Sequence, residues 1–442
     1  MLTRTLLILS MLAALASAQL NPQRLDEQAQ AYFDAGKFNG TVLVAKDGRP
    51  VLSKGYGMAN FEWNIPNTPD TKFRLGSITK QFTAMTLLLL EQQGKLKLTD
   101  PVCKYVDPCP ETWKPITLHQ VVTHTAGIPN FTAFPDYAST MMLKSPPAES
   151  LKKFRDKPLD FDPGTKFNYS NSGFVLLGYI IEKVAGEPYE DYLRKNVLDP
   201  LGMKDTGYDD AATVLPKRAA GYVNGKTLAN AAFIDMSIPH AAGSLYSTTL
   251  DLMKWDAAQS AGKLLTPENY QRYYTPLKND YAYGLNVQTK NGVQQISHGG
   301  GINGFATMII RVPSERLLVV TLSNVLPSDA GKLADNLINL SLGKEVEKPT
   351  KIVEIPMSAD KLKQYVGEYE LSPTFILTIT LEDGQLITQA TGQGKVPVFA
   401  KAEDIFFPKI MEAELIFEKD ATGKVTGLTL SQGGRRTPAK KR

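Results

Sequence analysis

Two hairpin patterns lying far apart in the chain limit its fold more than any other feature. Gly40–Lys46 and Val51–Tyr56 are β-rich runs on either side of Asp47-Gly48, a pair suited to a tight hairpin turn. Phe305–Val312 and Leu317–Leu322 repeat the pattern around Pro313-Ser314-Glu315-Arg316. Arg24–Ala35 reads as a short amphipathic helix, and a second helix is predicted from about Ala330 to Leu342. The sequence between the hairpins is richer in helical patterns and long loops. The economical arrangement is α+β: one antiparallel sheet built from both ends, flanked by helices, with a helical subdomain inserted between them.

The chain has 442 residues, too many for one ordinary core. Its 43% hydrophobic and 21% charged residues exclude a disordered chain. Lys344–Met357, charged and carrying two prolines, reads as a linker. Beyond it, Tyr365–Leu371, Phe375–Leu381, Gln385–Ala390, Glu414–Glu418 and Val425–Ser431 are short strand candidates, several of them separated by glycine turns. They predict a small all-β barrel or sandwich. The expected division is therefore a signal peptide over 1–18, a main domain over 19–343, a linker over 344–357 and a β domain over 358–442.

The signal is read from Arg4, the apolar stretch Leu6–Leu15 and the small residues Ala16-Ser17-Ala18. The stretch is short for a bilayer span, so cleavage is expected rather than anchoring. The mature protein is expected to be exported, periplasmic or extracellular, without an integral span. In an oxidising compartment Cys103 and Cys109 could close a short disulfide loop; two buried free thiols are the alternative. With these two cysteines and four histidines there is no ligand cluster for zinc, and no metal or organic cofactor is expected. The formal net charge of +4 lies partly in the tail Arg435–Arg442. With no basic and aromatic pattern before it, the tail reads as a solvated end rather than a nucleic-acid arm.

Chemistry enters at Ser77-Ile78-Thr79-Lys80, just before the apolar run Gln81–Leu90. Residues three apart share one helical face, so the Lys80 amine can reach the Ser77 hydroxyl. A desolvated amine beside a helix N-terminus has a depressed pKa and can activate that hydroxyl as a nucleophile. The same spacing recurs at Ser150–Lys153, Ser260–Lys263, Ser341–Lys344 and Ser358–Lys361, in polar stretches or beside the linker. A second element is Tyr169-Ser170-Asn171, between the turn Asp162–Thr165 and the apolar helix Phe174–Val184. Tyr169 could pass a proton to a leaving group and Asn171 could hold a substrate carbonyl; the simpler readings are a core aromatic and a helix N-cap. The third is His298-Gly299-Gly300-Gly301, entering the Phe305–Val312 strand. Glycines there either form a flexible turn or let backbone N–H groups approach a ligand.

In this order, Ser77-x-x-Lys80, Tyr169-x-Asn171 and His298-Gly-Gly resemble the serine β-lactamase and DD-peptidase superfamily. The likeness is greatest to the class C-type branch, which also holds esterases and D-aminopeptidases. It runs through Ile116–Ile128 and Ala242–Thr248 and covers roughly residues 25–343. The resemblance implies a β-lactamase/transpeptidase-like fold, with Ser77 as acylated nucleophile and Lys80 with Tyr169 as the proton-transfer pair. It implies Asn171, His298, Gly299 and Gly300 as substrate contacts, and the N–H groups of Ser77 and Gly301 as an oxyanion hole. His124 matches a family motif and is read as a structural hydrogen-bonding residue. Many penicillin-recognising members carry Lys-Thr-Gly where this chain has His298-Gly299-Gly300, which weakens the grip on a substrate carboxylate. The expected partner is a small-molecule or peptide substrate: an ester, an amide or a D-amino-acid peptide, with at most weak β-lactam hydrolysis. The alternative is a penicillin-binding sensor of the same fold that does not hydrolyse. The β domain resembles lipocalin-like modules appended to some members, and could cover the cleft, bind an apolar ligand or join a homo-oligomer.

Overall fold

Asp47 and Gly48 both take positive φ, 54° and 71°, the geometry that lets a two-residue turn follow the twist of its strands. They join β1 (Gly40–Lys46) to β2 (Arg49–Tyr56). This computed structural model describes residues 20–442 apart from 226, 352, 410–412 and 433–434, so the expected signal segment lies outside the described residues. Four strands from the far end complete the sheet: β3 (Asn286–Lys290), β4 (Val293–Ile302), β5 (Phe305–Val312) and β6 (Leu317–Ser323). The order is β3-β4-β5-β6-β1-β2, with every neighbour antiparallel. The two ends of the domain meet where β1 pairs with β6, Val42 opposite Thr321 and Val44 opposite Val319.

Every residue of β6 is buried, because both faces of the sheet are covered. Val42, Val44, Val319 and Ile310 face α1 (Pro22–Asp34) and the C-terminal helix Ala330–Ser341, which present Leu25, Ala29, Tyr32, Leu333 and Leu337. Leu43, Ile309, Val320 and Leu322 face the larger core of the inserted helical region. At its centre is α2 (Thr79–Gln92), buried without interruption from Thr79 to Leu90. Such a helix has no polar face and must be enclosed all round. It ends at Gly94, φ 71°, where Gly94 N–H donates to Glu91 O (2.8 Å) and Lys95 N–H to Leu90 O (3.0 Å). This pairing satisfies two of the carbonyls that the helix end leaves free. Packed against it is α3 (Asn171–Ala185), closed by Gly186 at φ 74°. Cys103 and Cys109 are joined as a disulfide.

Two expectations are corrected. Of the two readings of His298–Gly301 the structure takes close backbone approach rather than a turn, but it places these residues inside β4, the antiparallel neighbour of the Phe305–Val312 strand, rather than leading into that strand. Alternation is hidden there because glycines carry no side chain to alternate. The basic tail is not a solvated end either. Arg435–Lys441 is a strand that pairs with Val425–Gln432 and, across the seam, with Gly367–Ser372. It closes an eight-stranded antiparallel barrel, which also contains Lys395–Ala402 and Ile405–Pro408, absent from the five strands expected. A barrel leaves no free edge, so even a strand with one inward apolar residue, Ala439, is held by its ladder.

The barrel has its own core, in which Tyr369, Leu377, Ile379, Leu386, Val398, Phe406 and Leu428 are buried. The start of the linker is docked rather than free. Glu345 meets Arg24 at 2.8 Å, the Glu347 carbonyl accepts from Gln28 Nε2 at 3.0 Å, and Lys348 meets Glu27 at 3.1 Å, all on α1. No helix of the described residues is long and apolar enough to cross a membrane.

Candidate active site

Ser77 sits in a single 3₁₀ turn, Gly76–Ile78, that runs directly into α2. The N–H groups of that helix start therefore lie beside its hydroxyl. Two glycines allow the turn to press against β4. Gly76 has φ 54°, and a Cβ there would lie 2.9 Å from Gly301 N. A Cβ on Gly300 would stand 1.9 Å from Leu75 O, which no rearrangement short of moving the strand could relieve. Thr307 Oγ1 donates to that same carbonyl at 2.7 Å, so the turn before the serine is pinned to the sheet.

Lys80 is fully buried. Its Nζ lies 3.1 Å from Ser77 Oγ, 2.8 Å from Asn171 Oδ1 and 2.8 Å from Ala242 O. Burial holds its pKa well below the ordinary lysine value. An uncharged amine has two N–H groups and one lone pair. The two carbonyl oxygens can accept only, so in the free-amine form they take both hydrogens and the lone pair faces the serine hydroxyl; an ammonium would give its third hydrogen to that hydroxyl. Sequence spacing found the Ser77–Lys80 pair; the Ala242 carbonyl that completes this arrangement could not be read from a side chain.

Tyr169 and Asn171 project from the start of α3. Asn171 is the first helical residue rather than the N-cap, and its amide bridges Lys80 and Thr132 Oγ1 (3.1 Å from Nδ2). The Tyr169 ring lies 4.8 Å from the Lys80 amine, and its phenol hydrogen-bonds to the Ser77 side chain. Burial raises the phenol pKa above its usual value, opposed in part by that bond, so the proton stays on oxygen at neutral pH. His124, at φ 56°, accepts from Ser170 N–H through Nδ1 (3.2 Å) and packs on Tyr169 with centroids 4.3 Å apart. It holds the Tyr169–Asn171 turn. Asn130 does the same from the other side, accepting from Asn171 N–H at 3.1 Å.

A cavity of about 170 Å³ opens at Ser77. Asn171, Thr132, Ala242 and Gly301 line it, together with Tyr137, the one aromatic residue of the 131–137 loop to do so; Phe131 and Phe134 pack into the core instead. Of His298, Gly299, Gly300 and Gly301, only Gly301 reaches the cavity wall. His298 lies behind it, 5% exposed, with Nε2 3.1 Å from the Tyr281 hydroxyl and Nδ1 2.6 Å from Gly299 O. Burial lowers its pKa to about 4, so the ring is neutral.

The competing serines are engaged elsewhere. Ser150 Oγ donates to Ser145 Oγ, Ser260 Oγ accepts from Arg311, Ser341 Oγ donates to the Leu337 carbonyl, and Ser358 Oγ caps a short helix. The Tyr-x-Asn spacing also recurs at Tyr222–Asn224, on a hairpin strand, where Tyr222 bonds Glu62.

Comparison with known proteins agrees with this geometry. Residues 25–343 match the family described as Beta-lactamase, and residues 352–439 match a domain of unknown function, DUF3471. A penicillin-binding protein of Bacillus subtilis is 27% identical over 418 residues, covering 86% of this chain and 90% of its own. A teichoic acid D-alanine hydrolase of Staphylococcus aureus is 30% identical over 248 residues, covering 55% of this chain and 58% of its own. The octameric penicillin-binding protein homologue from Pyrococcus abyssi is 28% identical, with a TM-score of 0.66 over 95% of this chain and 99% of that one.

Proposed function

The chain belongs to the β-lactamase family, whose members matched here include hydrolytic enzymes, and from that premise we propose an exported serine hydrolase working through an acyl-enzyme on Ser77. Its substrates are esters, amides or D-amino-acid peptides, with at most weak turnover of β-lactams. The observation that carries this reading is the Lys80 amine, buried, depressed in pKa and 3.1 Å from a serine on the cavity wall.

In acylation, Ser77 Oγ bonds to the substrate carbonyl carbon and its proton passes to the Lys80 lone pair. The backbone N–H groups of Ser77 and Gly301 face the developing oxyanion. The carbonyl then re-forms, and the bond to the leaving nitrogen or oxygen breaks. The leaving atom takes the Tyr169 phenol proton, and Lys80 returns its extra proton to Tyr169. The raised pKa of Tyr169 keeps the phenol protonated at rest, so the amine takes the serine proton, and because a phenolate in that setting is costly the phenol gives its proton as Lys80 replaces it. Water repeats the sequence on the acyl-enzyme and frees the acid. Asn171 and His124 hold the two proton carriers in place. The disulfide between Cys103 and Cys109 supports the exported compartment.

The test is a panel of a chromogenic cephalosporin, short-chain aryl esters and D-alanyl peptides, run on the parent and on Ser77→Ala. The expected result is turnover of esters or D-peptides that the variant loses at least 10³-fold. Wild-type turnover of every substrate by Ser77→Ala would refute the assignment.

A further inference from the structure

The charge of the cavity narrows the substrate further. Its polar wall is made of Ser77, Thr132, Tyr137, Asn171 and Asn303, and none of the described lining residues carries a formal charge. The cations close to the nucleophile in sequence are already committed. Lys80 Nζ is bonded to Asn171 Oδ1, the Ala242 carbonyl and Ser77 Oγ, so protein groups take up its hydrogens. Arg74, three residues before the nucleophile, is locked on the fully buried Asp209 at 2.6 Å, and Arg218 holds the other oxygen of that carboxylate at 2.6 Å.

His298 is the remaining candidate, and its hydrogen bonds account for both ring nitrogens. The Gly299 carbonyl can only accept, so Nδ1 carries the hydrogen of the neutral ring; Nε2 then accepts from the Tyr281 hydroxyl. No N–H of that ring is left for a ligand. Gly299 supplies no hydroxyl, and a Cβ there would face Met308 Cε at 3.3 Å rather than an open site. A carboxylate entering such a cavity would shed water and find only neutral donors.

We propose that the enzyme selects acyl substrates with no carboxylate beside the scissile bond, that is, uncharged esters and C-terminally blocked amides, and discriminates against the matching free acids. This rests on the serine hydrolase reading above and adds a charge rule to it.

The test uses pairs differing only in that carboxylate: N-acetyl-D-alanyl-D-alanine against its C-terminal amide, and benzylpenicillin against its methyl ester. The rate of Ser77 acylation is read by quenched intact mass, with p-nitrophenyl acetate as a reference acyl donor. The neutral member of each pair is expected to acylate about 30-fold to 300-fold faster, the range for a charge left without a partner in a site. Asn303→Arg, placing a guanidinium on the cavity wall, should shrink that preference at least tenfold, read as the ratio of rates within each pair. Equal rates within a pair, or a faster free acid, would overturn the charge rule. Acylation by the reference ester with none by any of the four compounds would also overturn it. Failure of the reference ester to label Ser77 would instead overturn the serine hydrolase reading.

Discussion

Lys80 and Tyr365 are both completely buried, one in each of the two folded regions, and they are used in opposite ways. The Tyr365 hydroxyl is bonded to the Glu403 carbonyl (2.7 Å) and the Asp404 carboxylate (2.8 Å), and the Tyr369 hydroxyl caps the Tyr365 carbonyl at 2.7 Å. Their rings fill the barrel against Phe406 and Phe417. These phenols are satisfied and inert. Lys80 is bonded as well, to Asn171 Oδ1, the Ala242 carbonyl and Ser77 Oγ, but burial lowers its pKa, and its free-amine form turns a lone pair to an accessible serine. Around it lie two more buried titratable groups, His124 and His298. The main domain thus spends burial on reactivity, whereas the barrel spends it on packing.

The largest test of that contrast is Lys80→Met, which keeps the length of the side chain and removes the base. A loss of at least 10³-fold in kcat is expected with the fold intact by circular dichroism. In the parent, kcat/KM should rise with pH on the acid side, because the free amine is the active form and its pKa is lowered. Tyr169→Phe should cost about 10²-fold to 10⁴-fold in kcat, and more for amides than for activated aryl esters, whose leaving groups need no proton. An equal loss for both would remove Tyr169 as the acid.

The barrel side of the comparison is sharpened by Phe406→Ala. That ring is completely buried, so about 3–5 kcal/mol of barrel stability should be lost. Turnover of a small ester by the main domain should stay within about twofold, measured beside a calorimetric scan. A parallel fall in turnover would show that the two regions are coupled.

Acid should separate the regions with a smaller effect. All four histidines lie in the main domain. Burial lowers His298 to about 4 and His240 to about 3, and holds His124 well below the ordinary value. For a base whose folded pKa is depressed, the unfolded chain binds more protons below pH ~6.5, so stability present at neutral pH is lost as pH falls toward the folded value. His298 alone should contribute a loss on the order of 3 kcal/mol by pH ~4. Glu182 and Asp256, whose pKa values burial raises, oppose this in part. Hydrogen exchange at pH 7 and pH 4.5 should show protection falling in the main domain before the barrel.

How much of this was legible in the sequence differs between the regions for physical reasons. The β1–β2 and β5–β6 hairpins were readable because Asp47-Gly48 and Pro313–Arg316 are strong turn signals between alternating or apolar runs. α2 and α3 were readable from their apolar runs and from the glycines that end them. β4 was hidden by its three glycines, and Arg435–Lys441 by its charges, since in both the backbone ladder rather than the side chains makes the strand. In the site, Ser77, Lys80, Tyr169 and Asn171 were named from spacing and order, and the fold brings those four together. His298 was named as well, but the fold sets it behind the cavity wall, where Tyr281 and its own strand hold it. The Ala242 carbonyl, Asn130 and Thr132 were out of reach: their contributions come from a backbone oxygen or from loops whose path depends on distant packing.

The central claim, that buried Lys80 makes Ser77 an acylated nucleophile, is tested most directly by mixing the protein with an activated ester and quenching on the millisecond scale. Intact mass and peptide mapping then locate any acyl group. The account predicts one acyl group, on Ser77, that forms and decays at rates consistent with turnover, and its absence in both Ser77→Ala and Lys80→Met. Acylation at another residue, or turnover without any adduct on Ser77, would contradict it.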